Sequence, residues 1–267
     1  MSNMTFTLAT IFFVFGLIIG SFLNVVIFRF NTGKSFGGRS ICLYCRKRLS
    51  TFELVPLFSF LFLKGRCKDC KGKISIQYPA VEFITGLIFL GLFLKLENTF
   101  YTDIILFSFS FSYYAVMFCL LISISFYDLR HKIIPDSMVF IFGILAFASL
   151  FLFENNLFSL HLPSIWEMLR GVFFALPFAL IWYFSNGKWM GFGDAKLMLP
   201  LAWLLPLPLM LSALLIAFWT GAIAGMILIL IKRLSNGMKS EIPLAPFLVL
   251  GTLLVFFFAF NFYGFIF

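Results

Sequence analysis

Charge is scarce in this chain: Asp, Glu, Lys and Arg make up 12% of its 267 residues, about half the ~25% usual for a soluble globular domain. That deficit excludes an ordinary water-soluble fold. Histidine is scarcer still, with only His131 and His161. No HExxH helix, Ser-His-Asp set, Walker loop or helix-opening GxGxxG is present, so the usual motifs of metallopeptidases, serine hydrolases and nucleotide-binding enzymes are missing. What is abundant is apolar: 62% hydrophobic residues, 41 of them Phe, with a mean hydropathy of +1.05. Apolar runs of about 20 residues, the length a helix needs to cross ~30 Å of hydrocarbon, recur along the chain.

The expected fold is therefore an all-α polytopic membrane protein. Its eight transmembrane helices fall near 6–28, 79–95, 104–126, 137–153, 167–185, 195–206, 209–231 and 245–265. The first run, Phe6 to Phe28, has no basic n-region and no small-residue cleavage site before Arg29, and reads as a retained span. The net charge of +9 invites a nucleic-acid partner, but its distribution argues against one. With these spans, every Lys and Arg except Lys95 and Arg170 falls on one side. That asymmetry is the positive-inside pattern, which makes the basic side cytoplasmic. The organisation expected is a first helix (1–30), a cytoplasmic loop (31–78) and a seven-helix membrane domain (79–267).

The loop contains two Cys-x-x-Cys pairs, Cys42/Cys45 and Cys67/Cys70. Two such turns can close a tetrahedral four-thiolate zinc site, as in a zinc ribbon. Nearby Arg46, Lys47, Arg66, Lys68 and Lys71 favour thiolates. A pair of disulfides is the competing reading, opposed by the reducing cytosol. Four cysteines leave no open coordination position, so the metal is expected to be structural, stapling a loop too small to fold on its own core. Cys119, in mid-span, reads as a small apolar residue.

Acids in or against apolar spans are few: Glu82, Asp128, Asp136 and Asp194. A carboxylate in that setting is costly and is a functional candidate by default. Asp128 follows the third span in FYDLRHKIIPD and Asp194 follows the fifth in GFGDAK. The intervening pair of spans returns the chain to the same face, so the two aspartates can meet. Two carboxylates sharing a site do not both ionise easily, and one can activate water while the other polarises a carbonyl. Gly191 and Gly193 would open space beside Asp194 for an extended peptide. The alternative is a set of interfacial ion pairs, Asp128 with Arg130 or Lys132 and Asp194 with Lys196. Asp136, after Pro135, suits a helix start. Glu82, near Pro79, is either a helix-start acid or a counter-charge for a cationic group. A proton-relay transporter would instead place acids in mid-membrane in symmetric halves, a pattern absent here.

At these motifs the chain resembles the bacterial type IV prepilin peptidases, bifunctional leader peptidases and N-methyltransferases. GSFLNVVIFR (20–29), GRCKDCKGKISIQYPAVE (65–82), DLRHKIIPD, GFGDAKL and EIPLAPFLVLG (241–251) are similar to the family's signatures. Leu244, Ala245, Phe52 and Val55 depart from them. The resemblance implies catalytic Asp128 and Asp194; Gly191, Gly193, Lys196, Asp136 and Glu82 are the candidate supporting residues. It also implies substrates that are prepilins or pseudopilins of pilus, secretion or competence systems, cut after a Gly on the cytoplasmic face of the inner membrane. S-adenosylmethionine would be the methyl donor, and Gly65 matches a position linked to methylation. Presenilin-like proteases share the GxGD element but have a Pro-Ala-Leu motif that is missing here.

Overall fold

A computed structural model describes residues 3–33, 35, 37, 38, 40–42, 44–154, 157–233 and 243–260. Lys34, Arg39, Lys239, the Glu241 and Ile242 opening of the EIPLAPFLVLG stretch, and residues 261–265 of the expected last span lie outside the described residues. Ten α-helices account for most of the rest. They are α1 (Asn3–Arg29), α2 (Phe58–Phe62), α3 (Gln77–Lys95), α4 (Glu97–Thr102), α5 (Ile104–His131), α6 (Asp136–Leu152), α7 (Ile165–Ser185), α8 (Phe192–Leu204), α9 (Leu207–Arg233) and α10 (Ala245–Phe258). A 3-10 turn spans Thr51–Leu54, and a two-residue antiparallel pair joins β1 (Phe153–Glu154) to β2 (Leu157–Phe158).

Each of the eight expected apolar segments folds as a helix. Five of them, α1, α3, α5, α7 and α9, are long and apolar enough to cross a membrane, which makes the chain a multi-pass membrane protein. The others are shorter, with 17 residues in α6, 13 in α8 and 14 in α10. At 1.5 Å per residue these reach about 20–26 Å, against ~30 Å of hydrocarbon.

The last helix, α10, ends at Phe258, where Ala259 takes a positive φ of 50°, short of the expected 265, and two further boundaries that differ from expectation concern the aspartates. Helix α5 does not stop at 126; it continues through Asp128 to His131, with Arg130 and His131 in the last turn, where cations favour the helix dipole. It ends at Lys132, whose N–H still donates to the Asp128 carbonyl at 2.7 Å and whose positive φ of 55° turns the chain out of the helix. Helix α8 begins at Phe192, so Asp194 lies within its first turn rather than before it.

The chain divides into two units within α5, residues 1–126 and 127–267. In the first unit α1 packs on α3 through Gly16 and Gly20. A Cβ on Gly16 would lie 2.8 Å from the Gly86 Cα, and one on Gly20 would lie 2.7 Å from the Glu82 Cα. GLIIG (16–20) is thus a GxxxG contact that lets two backbones approach closely. Phe12 stacks on Phe93 at 4.8 Å and also touches Phe107 and Phe111, so part of the Phe excess forms an aromatic core.

In the second unit α8 is held by its neighbours α6 and α7. The Trp203 indole donates to the Met168 carbonyl at 2.9 Å and packs edge-on to Phe147 at 5.1 Å. Arg170 donates to the Trp203 carbonyl at 3.0 Å, a cation at the C-terminal end of α8 where carbonyls lack helical partners. Helix α7 starts on a capping box, in which Ser164 and Glu167 satisfy each other's amides, and ends at Asn186 in the left-handed region. That ending turns the chain through Gly187 (φ 73°) towards the start of α8.

Candidate active site and metal centre

Gly191 caps α8 with an extended backbone (φ −73°, ψ 147°). Asp194 is the third helical residue. Its N–H donates to the Gly191 carbonyl at 3.2 Å, while its carboxylate accepts the Gly191 N–H. The carboxylate thus supplies the N3 half of a capping box, while Gly191 has no side chain to supply the other. That contact fixes the Asp194 side chain against the helix end, where it is buried. Asp128, in the last turn of α5, is buried as well, and its carboxylate accepts the backbone N–H of Ala245 at the start of α10. The two carboxylates lie close enough that Asp194 feels the charge of Asp128.

Lys196 pairs with Asp136 at 2.8 Å rather than with Asp194, and its ammonium lies 5.1 Å over the Phe192 ring. Asp136 is the first residue of α6, one beyond the cap position held by Pro135, and its carboxylate is turned to Lys196. The two glycines also differ in role. A Cβ on Gly193 would lie 2.9 Å from the Ile134 Cβ, so the loop after Asp128 fills that space. A Cβ on Gly191 would meet nothing closer than 3.9 Å, and Gly191 is exposed. Only Gly191 leaves open space beside Asp194. Sequence reasoning missed Ala245 and Ile134. The signal for the first was Pro-Leu-Ala-Pro-Phe (243–247) opening an apolar run, the pattern of a helix start.

In the first unit the four cysteine sulfurs lie within 4.8 Å of one another, with Cys42 and Cys70 3.8 Å apart. A tetrahedral zinc with ~2.3 Å bonds to sulfur separates its ligands by about 3.8 Å, so the donor set fits a four-thiolate metal. The two halves repeat at an offset of 25 residues. Cys42 N–H donates to the Lys47 carbonyl and Cys67 N–H to the Gly72 carbonyl, both at 2.9 Å. Arg46 and Lys71 both take positive φ, 58° and 56°. Ser40 accepts from Leu49 as Gly65 accepts from Ile74, at 2.9 and 2.8 Å. The knuckles also clasp each other: Lys47 pairs with Asp69 at 2.6 Å, and Tyr44 lies over Gly72. The Cys45 N–H, the main influence, lowers the Cys42 thiol to about 7, favouring the thiolate that binds metal.

Gly65 takes φ 67° and lies under the Phe60 ring. Glu82, 8% exposed, accepts the Leu57 N–H at 2.8 Å and interacts with the Ser21 hydroxyl. Both belong to the first unit; Asp128, Asp136, Gly191, Gly193, Asp194 and Lys196 belong to the second.

Comparison with known proteins addresses both units. Residues 14–96 match the Bacterial Peptidase A24 N-terminal domain, and residues 115–229 match the Type IV leader peptidase family. The chain is 33% identical to the Prepilin leader peptidase/N-methyltransferase of Bacillus subtilis, covering 92% of this chain and 93% of that relative. The chain belongs to the type IV leader peptidase family. Proteins of the same name from Stutzerimonas stutzeri and Pseudomonas aeruginosa are each 30% identical, over 89% and 93% of this chain and 86% and 89% of theirs. No solved structure matches. The matched N-terminal segment contains the whole cysteine centre.

Proposed function

We propose that this chain is an aspartic endopeptidase of the bacterial inner membrane. It removes the short leader from prepilins or pseudopilins on the cytoplasmic side and N-methylates the new N-terminus with S-adenosylmethionine as donor. The observation that carries the peptidase reading is the pair of buried carboxylates, Asp128 and Asp194, brought together from the ends of α5 and α8. Asp128 and Asp194 share one proton. The ionised carboxylate takes a proton from water, and the hydroxide attacks the scissile carbonyl. The protonated carboxyl donates a hydrogen bond to that carbonyl oxygen and later supplies the proton for the departing amine. The Gly191 and Ala245 amides orient the two side chains, and the open space at Gly191 admits the peptide.

The eight apolar helices are all membrane-embedded in this reading, α8 as a short helix whose N-terminus reaches the cytoplasmic interface. The first helix (1–30) leads into a zinc-binding cytoplasmic loop (31–78), followed by the membrane domain (79–267). The peptidase chemistry sits entirely on residues 127–267. Zinc, held by Cys42, Cys45, Cys67 and Cys70, shapes the loop. The distribution of Lys and Arg supports the cytoplasmic placement.

Co-expression of a prepilin with the wild-type chain, Asp128→Asn or Asp194→Asn tests the reading, scored as a leader-sized gel shift at matched membrane levels. The wild type cuts and neither variant does. Normal cutting by both variants would make the carboxylates structural and the aspartic mechanism wrong.

A further inference from the structure

The first unit contains a carboxylate that the peptidase mechanism does not use. Glu82 is buried, and its recorded partners, the Leu57 N–H and the Ser21 hydroxyl, are neutral. Neither recorded ion pair among the described residues, Lys47 with Asp69 or Lys196 with Asp136, involves Glu82. A buried carboxylate without a cation is expensive to maintain, and a bound cation would offset that cost. Glu82 also stands behind an opening. A groove of about 450 Å³ runs between α1 and the loop over Thr51–Pro56, lined by Ser21, Phe22, Val25, Val55 and Pro56 among others. Ser21 lines this groove and touches Glu82, and Pro56 adjoins Leu57, whose N–H holds the carboxylate. Towards the N-terminus of α1 the groove continues as an exposed apolar stripe of Ile18, Phe15 and Ile11, at helical spacing.

We infer that this groove binds the cleaved substrate for methyl transfer, with the new α-ammonium at Glu82 and the apolar helix behind it along α1. The inference rests on the function proposed above and locates its second activity. The pairing is one of charge and polarity: an apolar segment ending in a cation meets an apolar stripe ending in an uncompensated carboxylate. The methyl donor also carries positive charge, on its sulfonium and its own α-ammonium, but it has no long apolar body for the stripe.

For transfer, the ammonium must first lose a proton, which Glu82 accepts and passes to water. The free amine pair then forms the N–C bond as the S–C bond breaks, leaving its electrons on sulfur as a neutral thioether. The positive charge passes from sulfur to nitrogen, and the product is an N-methylated ammonium.

The full-length chain in detergent or lipid, supplied with radiolabelled S-adenosylmethionine and a prepilin already cleaved by wild type, separates this step from cleavage. Glu82→Gln keeps an acceptor for the Leu57 N–H and removes the charge. Its KM for the cleaved pilin rises at least about tenfold, as expected for losing a charged hydrogen bond, while its KM for the donor and its zinc content stay at wild-type values. Val55→Trp, which fills the groove without touching Glu82, raises the same acceptor KM. An unchanged acceptor KM in both variants overturns the inference, as does a rise in donor KM instead. So does loss of zinc with both constants rising together, which would make Glu82 only an anchor for the loop. A wild-type chain that transfers no label overturns the methyltransferase reading, and this inference with it.

Discussion

Replacing Gly193 by Ala tests how closely the two aspartate-bearing segments must approach. The new Cβ would lie 2.9 Å from the Ile134 Cβ and 3.3 Å from its Cδ1. Ordinary carbon contacts sit at about 3.5–4.0 Å, so the segments must separate by roughly 0.6–1 Å. Overpacking of that size costs about 1–3 kcal/mol of stability, which a membrane-embedded chain can survive. The larger effect falls on geometry, because Ile134 follows Asp128 by six residues and Gly193 adjoins Asp194. A displacement near 1 Å in a catalytic arrangement costs on the order of 100-fold in rate. Leader cleavage by Gly193→Ala, timed on membranes with matched protein levels, should therefore fall about 100-fold. Gly191→Ala meets nothing nearer than 3.9 Å and keeps an ordinary φ of −73°; losing a glycine cap costs it no more than about fivefold. Equal damage in the two variants, or a wild-type rate in Gly193→Ala, would refute the steric account.

The Lys196–Asp136 pair is exposed, with side chains 39% and 71% accessible, and exposed pairs contribute about 0.2–1 kcal/mol. Lys196→Met and Asp136→Asn should each slow cleavage by no more than about fivefold, and exchanging the two charges should restore most of the loss; a null phenotype in either single variant would point to direct contact with substrate. Gly65→Ala forces an L side chain to φ 67° with its Cβ 3.0 Å from the Phe60 ring, a left-handed conformation costing about 1–2 kcal/mol. Its zinc affinity in a chelator competition should fall by about tenfold, and an unchanged affinity would show that the second knuckle does not depend on this turn.

Much of this architecture is legible from local chemistry. Continuous apolar runs locate the helices, since a backbone in lipid must satisfy its own hydrogen bonds. The Cys-x-x-Cys spacing predicts the metal cluster because each turn brings its two sulfurs together. Asp128 and Asp194 stand out because acids are costly among such residues. The helix ends differ from expectation where hydropathy is a poor guide. Arg130 and His131 look like loop residues, yet they extend α5 because cations suit a helix C-terminus.

Contacts between distant segments belong to the tertiary structure. GLIIG reveals small residues in α1, but only the packing of α3 shows that Gly20 is needed to bring Glu82 close. Lys196 sits two residues from Asp194, and charge alone pairs them; the fold gives Lys196 to Asp136, 60 residues away. Gly193 suggests room for a peptide, but Ile134 occupies that room. Ala245 carries no chemical signature, and only the position of α10 makes its N–H a partner for Asp128. Composition and short spacings determine which residues lie in helices and which pairs of sulfurs converge, because those depend on neighbours within a few residues. Which side chain meets which across the bundle depends on helix crossings and close backbone approach, and those exist only once the chain has packed.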